Sequence, residues 1–124
     1  MESREFLSFR RKLEKTQKQM AQLLGTSIRA IRSYEQGWRT VPAYVERQVF
    51  FLAAMLKQRQ KKQKPCWIIK KCPPHQKKQC PVWEFQCGEF CWFINGTFCE
   101  GTVQKNWQEK IKICQSCEML SFLF

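Results

Sequence analysis

Aspartate is absent from this sequence, histidine occurs once, at His75, and none of the eight cysteines falls within the first 65 residues. The first two absences count against an enzyme. A small thiol oxidoreductase working through Cys114 and Cys117 would also need the βαβ pattern that thioredoxin-like chemistry places around a C-x-x-C, and that pattern is missing. Long apolar runs are missing as well. The longest, "VFFLAAML" at 49–56, is eight residues against the roughly 18 of a membrane span, so it reads as a buried helix face and no membrane partner is expected. The opening "MESREFLSFRRKLEK" is charged throughout and lacks the apolar core and small-residue cleavage site of a signal peptide, which makes the cytoplasm the expected compartment. In a reducing cytoplasm, clustered cysteines are metal ligands or redox-active thiols more often than structural disulfides.

What is present divides unevenly. Residues 1–64 carry 15 Lys+Arg against 5 Asp+Glu, a net +10, whereas residues 65–124 carry 7 against 5, leaving only +2 of the total +12. All the sulfur of cysteine lies on the other side of that divide, from Cys66 to Cys117. A chain of 124 residues forms one ordinary domain or two very small ones. A module of about sixty residues buries only about 60% of its unfolded surface and often leans on metal or disulfide crosslinks. Charge and sulfur therefore mark two separate jobs.

The basic half reads as short helices. Phe6, Phe9, Arg10 and Leu13 recur at spacings of three and four and turn one side of a first helix inward, leaving Arg11, Lys12 and Lys15 outside. Thr16 caps a second helix with Met20, Ala21, Leu23 and Leu24 as its apolar side, and Gly25 ends it in a left-handed conformation. Ser27 caps a third helix, followed by Ile28, Ile31 and Tyr34 and closed by Gly37. Two short helices joined through a glycine turn form a helix-turn-helix. After "WRTVP", Pro42 suits a first turn, and Val45, Val49, Phe50, Leu52, Ala53 and Leu56 line a fourth helix.

The stretch "TQKQMAQLLGTSIRAIRSYEQG", Thr16 to Gly37, resembles the phage-repressor or Xre type of helix-turn-helix domain, with Gln17, Ala21, Gly25, Ser27, Ile31, Tyr34, Glu35 and Gly37 on its pattern. The resemblance implies a structural ion pair between Arg10 and Glu35. It also implies double-stranded DNA as the partner, with the third helix in the major groove and the second across the backbone. Ser27, Ile28, Arg29, Ala30, Arg32 and Ser33 are then the early or exposed residues of the reading helix. Arg29 is the candidate for a bidentate guanine contact, a contact of roughly 1–3 kcal/mol in discrimination, and Ile28 for a thymine methyl. Gln17, by its match to the family's helix-start glutamine, and more loosely Lys18, Arg32 and Arg39, are the expected phosphate contacts. Repressor domains of this kind often form homodimers on palindromic operators, and of the doubled aromatic Phe50-Phe51 one ring is expected to be exposed or shared. The segment "KQRQKKQK", 57–64, with five cations, is a phosphate-tracking arm and the expected domain boundary.

The cysteines are separated by 5, 7, 6, 3, 7, 14 and 2 residues, and only "CQSC", 114–117, has the tight form in which two thiolates on one turn grip one ion. The regular zinc-finger pattern is not met. Cys72-Pro73 and Cys80-Pro81 place proline beside cysteine as bacterial iron–sulfur ligation does. Trp67, Trp83 and Trp92 are either a water-excluding wall or the small core of the module, and His75 is either a further ligand or a solvated loop residue. Three readings stay open: a zinc or iron–sulfur site on about four to seven thiolates, a thiol–disulfide switch, or structural disulfides.

Residues 65–120 also resemble the two-CW type of cysteine-rich domain, through "CWIIKKC" (66–72), "CPVW" (80–83), "CWFINGTFCEGTVQ" (91–104) and "KIKICQSC" (110–117). Cys66, Cys72, Cys80, Cys91, Cys99, Cys114 and Cys117 fall on that pattern and are the candidate metal ligands, while Cys87 stands as an addition. The resemblance implies a sensory or regulatory module and leaves its ligand open. The expected fold is a mainly α helix-turn-helix bundle of four or five helices over 1–56, a basic linker or helix extension over 57–64, and a small irregular cysteine-rich module over 65–120. The expected function is sequence-specific transcriptional regulation coupled to metal, iron–sulfur status or redox state. An antitoxin-like or adaptor protein with an autoregulatory DNA-binding domain is the alternative.

Overall fold

The structure, a computed structural model, describes residues 1–60, 64–99, 103–121 and 123. It is mainly helical, with no strand among the described residues, and it divides into two compact units, Met1–Leu56 and Lys57–Phe124.

The first unit is built from α1 (Ser3–Lys12), α2 (Gln17–Leu24), α3 (Ile28–Gln36) and the start of α4 (Ala43–Gln60). Local chemistry sets both ends of α2 and α3. Thr16 Oγ1 accepts from Gln19 N at 3.1 Å while the Gln19 side chain accepts from Thr16 N at 3.0 Å, a full capping box that starts α2. Gly25 ends it at φ 67°, with Thr26 N donating back to Ala21 O at 2.9 Å, a closure that satisfies carbonyls of the last turn. Ser27 caps α3 through Ala30 N, and Gly37 closes it at φ 78°. Phe6, Phe9, Met20, Ala21, Leu24, Ile31, Tyr34, Val45, Val49 and Phe50 are buried and form the interior of this unit. Phe6 meets Tyr34 edge-to-face with ring centroids 5.5 Å apart, and Phe9 meets Phe50 at 5.5 Å.

Two expected core positions turn outward: Leu23 is 44% exposed and Leu56 41%. One residue around a helix is about 100°, so with Met20, Ala21 and Leu24 facing the neighbouring helices Leu23 is carried off that face. Phe51 is exposed where Phe50 is fully buried, by the same rotation. Helix α4 continues through Gln60, so the basic segment 57–64 begins as helix; residues 61–63 of it lie outside the described residues.

The second unit is more regular than its cysteine spacing suggests. It is assembled from α5 (Cys66–Ile69), α6 (Pro74–Gln79), α7 (Pro81–Glu84), the 3-10 helix η1 (Gly88–Phe93), α8 (Trp107–Gln115) and α9 (Glu118–Ser121), which corrects the expectation of an irregular module. Prolines open two of these helices, at Pro74 and Pro81, where a missing N–H leaves no bond unmade. Asn106 caps α8 by accepting from Glu109 N at 2.9 Å. Val82, Cys91, Trp92, Trp107, Ile111, Cys114, Met119, Leu120 and Leu123 are buried, and Trp67 stands edge-on to Trp83 at 4.9 Å. Gly88 is required by space: a Cβ there would lie 2.6 Å from Pro65 Cβ and 2.9 Å from the Trp67 ring. That close approach locks η1 against the start of α5.

Candidate nucleic-acid interface and cysteine pocket

Helix α3 is amphipathic, with Ala30, Ile31 and Tyr34 packed inward. Its outer side presents Arg29, Arg32 and Gln36 at spacings of three and four, all exposed. Ile28 is half-buried at the start of the helix, and the exposed Ser27 uses its hydroxyl to cap Ala30 N at 3.1 Å. Ser33 does not belong to that outer side. It is only 8% exposed and its Oγ donates to Arg29 O at 2.9 Å, so its hydroxyl is turned to its own helix, a correction to the sequence-based set.

Behind α3 runs a polar network that joins three helices. The Glu35 carboxylate accepts from Arg10 Nε on α1 through one oxygen and from Gln17 Nε2 on α2 through the other, and its side chain is only 6% exposed. Gln17 Oε1 in turn accepts from Arg32 Nε at 3.4 Å. The Arg10–Glu35 pair is thus present and partly buried. Gln17, expected at phosphate, also uses its side-chain amide within the fold, donating to Glu35 and accepting from Arg32. Arg10 also donates to Lys15 O at 3.0 Å, tying the α1–α2 connection to the same network. Lys18 and Arg39 are exposed, and the Arg39 guanidinium lies 5.6 Å from the centre of the Tyr34 ring. Sequence reasoning passed over Trp38, which is 77% exposed beside Arg39 in the turn after Gly37. In the sequence only the adjacency of Trp38 and Arg39 after Gly37 marks the position.

In the second unit the spacing alone joined no four cysteines; folding brings seven of them to one cavity. A space of about 170 Å³ is lined by Cys66, Cys72, Cys80, Cys91, Cys99, Cys114 and Cys117, with Pro73, Val82, Phe98, Ile113 and Met119 as its apolar wall and Lys70 beside them. Cys91 and Cys114 are buried and the other five half-buried. No disulfide joins any of the eight cysteines. Cys87 is outside this set, packed against Val82 with its thiol directed at Val82 O, 3.8 Å away. His75 is exposed on α6 and does not line the cavity. Among the described residues no three His, Cys or Glu side chains converge closely enough to hold a single ion.

The thiols of this cavity are not equivalent. The hydrogen bond between Cys91 and Cys66 favours the thiolate at Cys66, whose pKa is lowered, and holds Cys91 protonated well above the ordinary 9.0. Burial pushes Cys114 up to about 11, against the pull of Lys110, and burial also raises Cys72. Lys110 is the residue that cysteine spacing could not point to. It is 1% exposed, and its Nζ donates to Thr97 Oγ1 at 2.6 Å, while Thr97 Oγ1 lies 3.3 Å from Cys99 Sγ. Lys110 lies four residues before Cys114, on one face of α8, a spacing that does not mark it as buried.

No protein-family model, curated protein or solved structure matches this chain. Among the described residues no helix is long and apolar enough to cross a membrane.

Proposed function

We propose that the chain is a sequence-specific DNA-binding transcriptional regulator of helix-turn-helix type, whose second unit is a cysteine-rich, metal- or redox-responsive module of two-CW type. The observation that carries this reading is the outer face of α3, where Arg29 and Arg32 stand exposed on a short helix held by caps and by the Arg10–Glu35–Gln17 network. Sequence supports it further, since residues 1–64 carry a net +10. In this reading the start of α3 enters the major groove, Arg29 reads a guanine, Ile28 meets a thymine methyl and the capping residue Ser27 sits at the groove edge. Lys18, Arg32 and Arg39 hold phosphates, and Gln17 orients Arg32. The exposed α4 residues Phe51 and Met55, one turn apart, form the dimer face, and sedimentation velocity at micromolar concentration tests that part.

Selection of a binding site from random duplexes, followed by titration of Arg29→Ala against the selected and a scrambled duplex, tests the assignment of the helix. The expected loss is about 10- to 100-fold on the selected site with little change on the scrambled one. An equal loss on both duplexes makes Arg29 a phosphate contact, and failure to select any site overturns the reading. Coupling between the units predicts that operator affinity differs between the metal-loaded and the stripped, reduced protein. Equal affinities in the two states would sink that coupling while leaving DNA binding intact.

A further inference from the structure

We propose that the cysteine cavity holds a polynuclear iron–sulfur cluster, not a single zinc ion, and that the buried ammonium of Lys110, held by Thr97, is the fixed counter-charge of that cluster. This deepens the reading of the second unit as metal-responsive and rests on it. Three observations carry the inference, each from geometry.

The donor set is dominated by sulfur, with Gln76 and Thr97 as the oxygen donors of the lining. Seven thiols line the cavity with apolar residues between them and no carboxylate or imidazole among the lining, the environment that suits thiolate-bound zinc or iron–sulfur centres and not a hard cation. The arrangement separates those two. A structural zinc draws four sulfurs to about 2.3 Å from one point, which leaves no internal space, whereas here the seven cysteines line a space of about 170 Å³. A body of several atoms, with sulfurs reaching it from different sides, fits such a wall.

Lys110 supplies the third observation. An ammonium 1% exposed is costly to bury unless an anion faces it, and its hydrogen-bond partner here is a neutral hydroxyl. Among the described residues no carboxylate forms an ion pair with it. Four thiolates around an iron–sulfur core leave a net negative centre, and Lys110 shares the inner face of α8 with Cys114. Each ligating thiol gives up its proton as it binds. Thr97 fixes the ammonium on one side and contacts Cys99 on the other, which makes Lys110 and Thr97 positioning residues for the charge of the site.

The full chain, stripped and reduced, is reconstituted without oxygen using ferrous iron and sulfide, and in parallel with zinc. Expected are matching amounts of iron and acid-labile sulfide retained after gel filtration and a visible charge-transfer absorption. Zinc retained with neither iron nor sulfide overturns the cluster but leaves the metal-responsive module standing; retention of no metal overturns both, and neither outcome touches DNA binding, which is read on the selected duplex. Lys110→Met, which keeps the volume and removes the charge, is expected to lower the cluster's reduction potential, and Lys110→Arg to restore it. An unchanged potential in Lys110→Met overturns the role given to Lys110. Should that variant not fold, Thr97→Val decides: a lowered potential supports the assignment and an unchanged one overturns it.

Discussion

Glu35 shows how one side chain does three jobs at once. Its carboxylate joins α1, α2 and α3 by accepting from Arg10 and Gln17, and through Gln17 it sets the position of Arg32 on the outer face of α3. Replacing it by Gln keeps the shape and removes the charge facing Arg10. The expected destabilisation is about 2 kcal/mol, the scale of a hydrogen bond to a charged group, and chemical denaturation followed by circular dichroism reads it. A loss below a few tenths of a kcal/mol would show the network to be ornamental. Tyr34 makes a pH prediction at the same scale. Burial raises its phenol above the ordinary 10.0, with Tyr44 nearby adding to the rise. The unfolded phenol therefore ionises first, the folded state holds the extra proton, and stability falls as pH climbs past 10. Tyr34→Phe should show a shallower fall between pH 9 and 11 than the parent. Parallel curves would remove Tyr34 from that fall.

Among the elements, the helices of the two units are specified in different ways. In the first unit α2 and α3 carry their own start and stop signals, and Thr16, Gly25, Ser27 and Gly37 form the bonds and left-handed turns that their residue types favour. These were legible because capping is local chemistry. In the second unit α5, α7 and α9 are four residues each, shorter than the period needed to reveal an apolar face, so they left no pattern to read. Packing holds them, and Gly88 is the test. Gly88→Ala forces a methyl into Pro65 and Trp67 and should destabilise the second unit by about 1–3 kcal/mol, seen as a loss of its near-ultraviolet tryptophan signal at lower denaturant. The first unit should keep its own midpoint. Equal loss in both would mean that they unfold as one.

For the molecule as a whole, charge and sulfur remain apart: five cations fall in 57–64, at the junction of the two units, and seven cysteines line one cavity in the second. If the junction tracks phosphates, replacing Lys57, Arg59, Lys61, Lys62 and Lys64 by Gln flattens the salt dependence of DNA binding by about 0.9 in log–log slope for each phosphate no longer neutralised, without altering which duplex is preferred. Binding titrations at several salt concentrations measure that slope. An unchanged slope would remove the segment from the interface.

By itself the sequence determined the caps of α2 and α3 and the separation of charge from sulfur, because each depends on residue type at short range, while the Arg10–Glu35 pair and the set of seven cysteines came only as what the family resemblances imply. Tertiary structure alone decided which side of each helix is inside, turning Leu23 and Leu56 out and Ser33 in. It alone gathered cysteines up to 51 positions apart in sequence around one space and buried Lys110 beside them. Burial of an ammonium is a property of what surrounds it on every side, and no local pattern in the chain encodes that.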